Sequence, residues 1–170
     1  PFRQFNNYAA GIDLDTAGNI YVAGFARNFS SRKNDDWPTS TGAYQTSNPS
    51  SGYYGIARFK NGGAFDIGTY YYPSSVSSFF TIDGIHELEV GPDRVGICGI
   101  FRGAGLPGAN GFATSNSSSS SNSGFVTEMG LDLDTVLHAT YVGGSNNDIV
   151  QGMAYLPDNS LWLVGSTQSS

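Results

Sequence analysis

The residues best able to do chemistry in this chain are short runs of carboxylates, two histidines and one cysteine. Asp13-Leu-Asp-Thr-Ala-Gly18 partly resembles an oxygen-ligand calcium loop. It lacks an oxygen side chain at Ala17 and a distal bidentate glutamate, so coordination would be incomplete. The competing reading is a hairpin turn whose aspartates bond local amides. Leu131-Asp-Leu-Asp-Thr135 poses the same choice without the glycine. His86 and His138 stand on different predicted strands, and the three or four nitrogen or sulfur ligands that zinc requires are not gathered around either. Alternation along a strand sets His86 opposite Glu87. Glu87, Glu89 and Glu128 read as solvent-facing or strand-end acids. The serines are many, but no G-x-S-x-G elbow and no base–orienter pair accompanies them. Cys98 lies in the apolar run Val95-Gly-Ile-Cys-Gly-Ile-Phe101 and reads as a small buried hydrophobe, without a cation nearby in sequence to lower its pKa. These patterns point to a non-enzyme with no catalytic residue, metal or cofactor.

Binding has a better foothold. Two long loops, residues 26–53 and 102–123, leave corresponding points of the chain, and binding residues concentrate on loops held by a rigid scaffold. The first carries Trp37, Tyr44 and Tyr53 among amides and hydroxyls. A flat ring can stack on a sugar while amides bond its hydroxyls, so these three are the candidate ligand-binding residues. Alternatively, Trp37 and Tyr44 anchor the loop onto the edge of the sheet. Residues 115–124 form a low-complexity Ser/Asn tip. Asn28-Phe-Ser30 and Asn116-Ser-Ser118 fit the glycosylation sequon.

What must position these loops is a repeat. Gly11-Ile-Asp-Leu-Asp-Thr-Ala-Gly-Asn-Ile-Tyr-Val-Ala-Gly24 returns in altered form over 84–99 and again over 152–165. Pro38 and Pro107, Gly42 and Gly111, and Thr69-Tyr70 and Thr140-Tyr141 all keep a period of about 70 residues. Alternating, β-branched or aromatic runs predict strand pairs at 9–14 and 19–25, 84–90 and 94–101, and 150–156 and 160–165. Asp, Asn, Gly and Pro mark the turns between them. Further pairs follow at 54–60 with 64–72, and at 124–129 with 135–142. Four antiparallel strands per unit, with no helix, read as an all-β chain of β-propeller blades. Glycines recurring inside strands (Gly24, Gly55, Gly96, Gly99, Gly165) suggest close approach of backbones. A two-sheet sandwich is the runner-up, and a solenoid fits less well because its repeats are shorter.

These residues carry a family resemblance. Asp13-Leu-Asp-Thr-Ala-Gly-Asn-Ile-Tyr-Val-Ala-Gly24, Trp37-Pro-Thr-Ser-Thr-Gly-Ala-Tyr-Gln-Thr46, Ile56-Ala-Arg-Phe-Lys60 and Ala139-Thr-Tyr-Val-Gly-Gly-Ser-Asn-Asn-Asp148 together resemble the bacterial SBBP β-propeller repeat. The second unit departs from that pattern, with Pro107-Gly-Ala-Asn-Gly-Phe-Ala-Thr114 lacking the Tyr-Gln pair. The resemblance implies a first blade over 9–72, a second over 84–142 and the start of a third over 150–170, about two and a half blades of one propeller domain. It also implies an exported, extracellular or cell-surface bacterial protein. Asn146-Asn-Asp148 falls at a blade-to-blade loop where the family often has paired acids, a conceivable cation position.

Composition narrows the partners. A net charge of −6 disfavours nucleic acid and anionic membrane surfaces. No run of about 18 apolar residues is present to span a bilayer as a helix. Two units and part of a third cannot close a ring, so the sequence reads as part of a larger array. The end faces of an array need neighbours or caps, and self-association is the expected behaviour in isolation. The expected partners are the remaining blades of the parent chain or another protein, with a glycan or cell-surface protein on the loops. The expected function is a scaffold or adhesion module. A propeller-type glycan-active enzyme whose catalytic residues lie on other blades, or a structural spacer, is the alternative.

Overall fold

The computed structural model describes residues 8–26, 37–47, 53–72, 84–116 and 121–170. Asn28 of the first sequon and the centre of the Ser/Asn-rich tip lie outside them. Ten strands are present: β1 (Tyr8–Leu14), β2 (Ile20–Ala26), β3 (Tyr53–Phe59), β4 (Phe65–Tyr71), β5 (Ile85–Val90), β6 (Arg94–Arg102), β7 (Asn122–Gly130), β8 (Val136–Val142), β9 (Asp148–Tyr155) and β10 (Leu161–Thr167). No helix occurs among the described residues. The predicted strands fall on these ten with ends shifted by one or two positions, because turn residues mark where a strand stops only approximately.

The strands form antiparallel meanders. One sheet has the order β1-β2-β3-β4, the second β5-β6-β7-β8, and the third contains β9 and β10. Among the described residues the sheets close no barrel or ring. They lie in succession, with β1 and β2 against β5, and β9 against β5, β6 and β7. The middle sheet is therefore covered on both faces, which distinguishes the arrangement from a two-sheet sandwich. Its strand β6 is buried along nearly its whole length.

Register makes the units comparable. Gly24 of β2 pairs with Gly55, which pairs with Tyr70. Gly99 of β6 pairs with Phe125, which pairs with Tyr141. Gly165 of β10 takes the same place opposite Val150, beside a bulge that β1 and β5 also carry. On this alignment Tyr21, Ala23 and Ile56 of the first sheet face the second, as Gly96, Cys98 and Val126 of the second face the third.

Two apolar layers result. Tyr21, Phe25 and Ile56 pack against Leu88, Ile97 and Phe125 between the first two sheets. Cys98 and Val126 pack against Val150 and Met153 between the second and third. Burial of this kind is the main favourable term available to a chain without disulfides. The strand glycines permit the close contacts. A Cβ at Gly99 would sit 1.7 Å from the Gly84 carbonyl oxygen, and one at Gly165 would sit 1.9 Å from that of Ile149. The approach at Gly55 and Gly96 is instead to side chains, the ring of Trp37 and the methyl of Met153.

Among the described non-glycine residues Asn159 and Leu133 have positive φ, and Leu133 is the one that is apolar. It takes φ 53° in the β7–β8 turn, a region costly for a leucine. Its side chain is fully buried in the layer between the first two sheets, which holds the turn in place.

Candidate binding surface

The first long loop returns to the sheet as an edge cover. The amide of Tyr70 donates to the Gln45 carbonyl at 2.9 Å, and the amide of Gln45 donates to Thr69 Oγ1 at 2.9 Å. Thr69 Oγ1 in turn donates towards the carbonyls of Gln45 and Tyr70. The second loop repeats the pattern on β8. Tyr141 N donates to the Ala113 carbonyl at 3.0 Å, Ala113 N donates to Thr140 Oγ1 at 3.0 Å, and Thr140 Oγ1 reaches the carbonyls of Ala113 and Tyr141. An outer strand left open exposes a row of unpaired amides to foreign strands. Each loop blunts that edge, with a buried threonine as its fastener.

This routing decides where the predicted aromatics go. The ring of Trp37 lies over Gly55, where a Cβ would come within 2.2 Å of it, and its Nε1 donates to the Ile56 carbonyl at 3.3 Å. Tyr44 packs on the layer between the first two sheets, and its amide donates to the Leu133 carbonyl at 2.9 Å. Burial pushes its phenol above the usual range. Tyr53 opens β3 opposite Ala26, its side chain lying outside the described part. Trp37 and Tyr44 are thus loop anchors on two different surfaces, the alternative that the sequence leaves open.

Another aromatic is turned outward. Phe112, at the tip of the second loop, is 82% exposed. It follows Gly111, whose amide is held by the Ala139 carbonyl at 2.9 Å, and it lies two positions after Asn110 in the same loop. Asn110 is itself fixed, donating from Nδ2 to the Leu137 carbonyl and accepting from the Ala139 amide. Sequence reading passes over Phe112 because that loop lacks the Tyr-Gln pair. The available signal is its register, one residue before the edge-pairing Ala113.

The carboxylates are engaged within the fold. Asp15 Oδ1 accepts from the amides of Ala17 and Asn19 at 2.9 and 2.8 Å, and its Oδ2 accepts from Asn19 Nδ2. Burial works to raise this carboxyl, but those bonds outweigh it and hold it below the usual range. Asp148 accepts from Gly144 N, Ser169 Oγ and Thr167 Oγ1, again leaving it below the usual range despite burial. Asp13 reaches into the next sheet, where its Oδ2 accepts from Val90 N at 2.7 Å. Among the described residues no group of three or more His, Cys, Asp and Glu is placed to hold a metal.

Three expectations need correction. Glu87 is not solvent-facing, since its Oε2 accepts from Met153 N at 2.6 Å. Nor does His86 point away from it, because His86 Nδ1 meets the Val150 carbonyl at 3.0 Å and both side chains contact β9. The bulge between Ile85 and Glu87 breaks the alternation on which the prediction rested. Glu128 likewise is largely covered, accepting from the Tyr155 hydroxyl at 2.8 Å. Cys98 is fully buried, and burial pushes its thiol up to about 12, far from nucleophilic reactivity.

A scan against protein-family models and a search of curated proteins each gave no match for this chain.

Proposed function

We propose that this chain is a non-catalytic scaffold and adhesion module, a run of β-propeller blades displayed outside the cell that meets a glycan or protein through its loop face. The observation that carries the reading is how its carboxylates are used. Asp13, Asp15, Glu87 and Asp148 each accept backbone amides, holding sheets and turns together. Acids spent in this way serve architecture. The repeated sheets, stacked in sequence order, support a propeller in which these units are successive blades. The resemblance to the SBBP repeat supports the exported location.

The surface offered to a partner is the second loop around Phe112. Its exposed ring, on a loop whose Asn110 is fixed two positions earlier, suits stacking, and suits a neutral polar partner better than an anionic one at net charge −6. A glycan array and a cell-attachment assay with the intact chain test this. Phe112→Ala should abolish binding while leaving the melting temperature unchanged. Absence of binding above background, or binding indifferent to Phe112→Ala, would refute the loop assignment.

A further inference from the structure

The sequence holds two Asn-Gly pairs, Asn61-Gly62 and Asn110-Gly111, and the fold treats them oppositely. An asparagine before a glycine is prone to lose its side-chain amide, because a glycine without a side chain lets its nitrogen swing to the asparagine Cγ. The reaction needs that nitrogen free and the asparagine able to turn. Asn61 and Gly62 form the exposed tip of the β3–β4 turn, closed by bonds from Lys60 N to the Ala64 carbonyl and from Gly63 N to the Lys60 carbonyl. Among the described residues no acceptor takes the Gly62 amide, and a Cβ at Gly62 would meet nothing within 4 Å. The Asn61 side chain is tied by one exposed donation, from Nδ2 to the Ala17 carbonyl at 3.2 Å. The counterpart of Gly62 in the second sheet is Asp132, whose side chain is 76% exposed although Arg58 of the first sheet reaches it. A sheet ahead of β1 would therefore leave the Asn61 turn open too.

Asn110 is locked. Its Nδ2 donates to the Leu137 carbonyl at 3.0 Å, its Oδ1 accepts from the Ala139 amide at 2.9 Å, and the Gly111 amide donates to the Ala139 carbonyl at 2.9 Å. A Cβ at Gly111 would come within 2.6 Å of Thr140 Cβ, so the backbone there has no room to swing. We propose that Asn61 is a site of spontaneous deamidation in the folded chain, from which Asn110 is spared by its pairing with β8. The Gly62 nitrogen gives its proton to solvent base and attacks Asn61 Cγ. A C–N bond forms, the Cγ–Nδ2 bond breaks, and ammonia departs from a five-membered succinimide. Water then adds to either imide carbonyl and opens the ring to aspartate or isoaspartate, with no change of oxidation state. The product adds one negative charge to the net −6 and can no longer donate to Ala17. The β1–β2 and β3–β4 turns are then joined there only by the Asn61 amide on Asn19 Oδ1 at 3.2 Å.

Ageing the full chain in mildly alkaline buffer and mapping its peptides by mass spectrometry tests this, with isoaspartyl methyltransferase labelling as a second readout. In the folded chain Asn61 should convert at least about tenfold faster than Asn110, where three hydrogen bonds must open first. In denaturant the two sites should convert at similar rates, since each is then only an Asn-Gly pair. Thr140→Val, which unfastens the second loop, should speed Asn110 and leave Asn61 unchanged. Asn61→Gln should remove the early acidic species seen by anion exchange, with an unchanged circular dichroism spectrum. Equal rates at the two sites in the folded chain, or an Asn61 that stays intact while the denatured chain reacts, would overturn the inference. So would an Asn110 rate indifferent to Thr140→Val. Phe112 takes no part in this chemistry, so the two proposals fail separately.

Discussion

Asp13 of the first sheet accepts a hydrogen bond at 2.7 Å from the backbone amide of Val90, 77 positions later in the second sheet. Glu87 of the second sheet does the same for Met153 of the third at 2.6 Å. The first strand of each unit thus hands a carboxylate to the first strand of the next, at an edge that no strand pairs. A charged acceptor on a half-buried amide contributes about 1.5–3 kcal/mol. Asp13→Ala and Glu87→Ala should each lower unfolding free energy by about that amount, measured by urea denaturation. A loss within experimental error would mean that the pairs are incidental.

The edge fasteners are also duplicated, so their removal should have duplicate consequences. Thr69→Val and Thr140→Val each delete a hydroxyl that both donates to and accepts from the covering loop. Each should cost about 1–3 kcal/mol, since a buried amide loses its acceptor. The two losses should agree within experimental error. A large loss for one and none for the other would show that the loops are not equivalent.

Trp37 is held by Gly55, and the pair can be tested from either side. Trp37→Ala removes a ring that covers the sheet and should cost about 1–3 kcal/mol, less than a fully buried aromatic. Gly55→Ala sets a Cβ in the space of the ring and should destabilise as well. Thermal melts read both. Loss of glycan binding without loss of stability in Trp37→Ala would return that residue to the ligand surface.

Glu89 titrates against the trend of the other shifted acids. Burial first, then the neighbouring charges of Asp13 and Glu87, push its carboxyl above the usual range. A carboxyl raised in the folded state favours folding below its unfolded pKa of about 4.3, and loses that contribution as pH rises through the folded value. Asp15 and Asp148 are lowered, so their contribution is present above about pH 4 and is lost as pH falls. Glu89→Gln should therefore melt higher than wild type at pH 7, with the gap closing below about pH 4 as Glu89 protonates. A gap that persists unchanged at low pH would contradict the charge origin.

The strands were readable because turn chemistry and alternation act locally, and ten short runs announced themselves between Asp, Asn, Gly and Pro. The stacking contacts were not. Whether Asp13 bonds its own turn or a distant amide depends on which sheet lies opposite, and local sequence does not encode that. The neighbouring Asp15 did behave as a turn aspartate. His86 and Glu87 defeated alternation because a bulge adds one residue without a sequence marker. Trp37 was conspicuous by type yet turned inward over a glycine. Phe112, in the degraded copy of the same loop, was inconspicuous and turned outward.

Amide hydrogen exchange at Val90 and Met153 tests the stacking of successive sheets most directly. Neither amide has a strand partner on its free edge, so protection there must come from the carboxylate of the preceding unit. Both should exchange slowly in the wild type. Asp13→Ala should speed Val90 at least about tenfold while leaving Met153 slow, and Glu87→Ala should do the reverse. Fast exchange at both positions in the wild type, or rates indifferent to the two substitutions, would contradict the account.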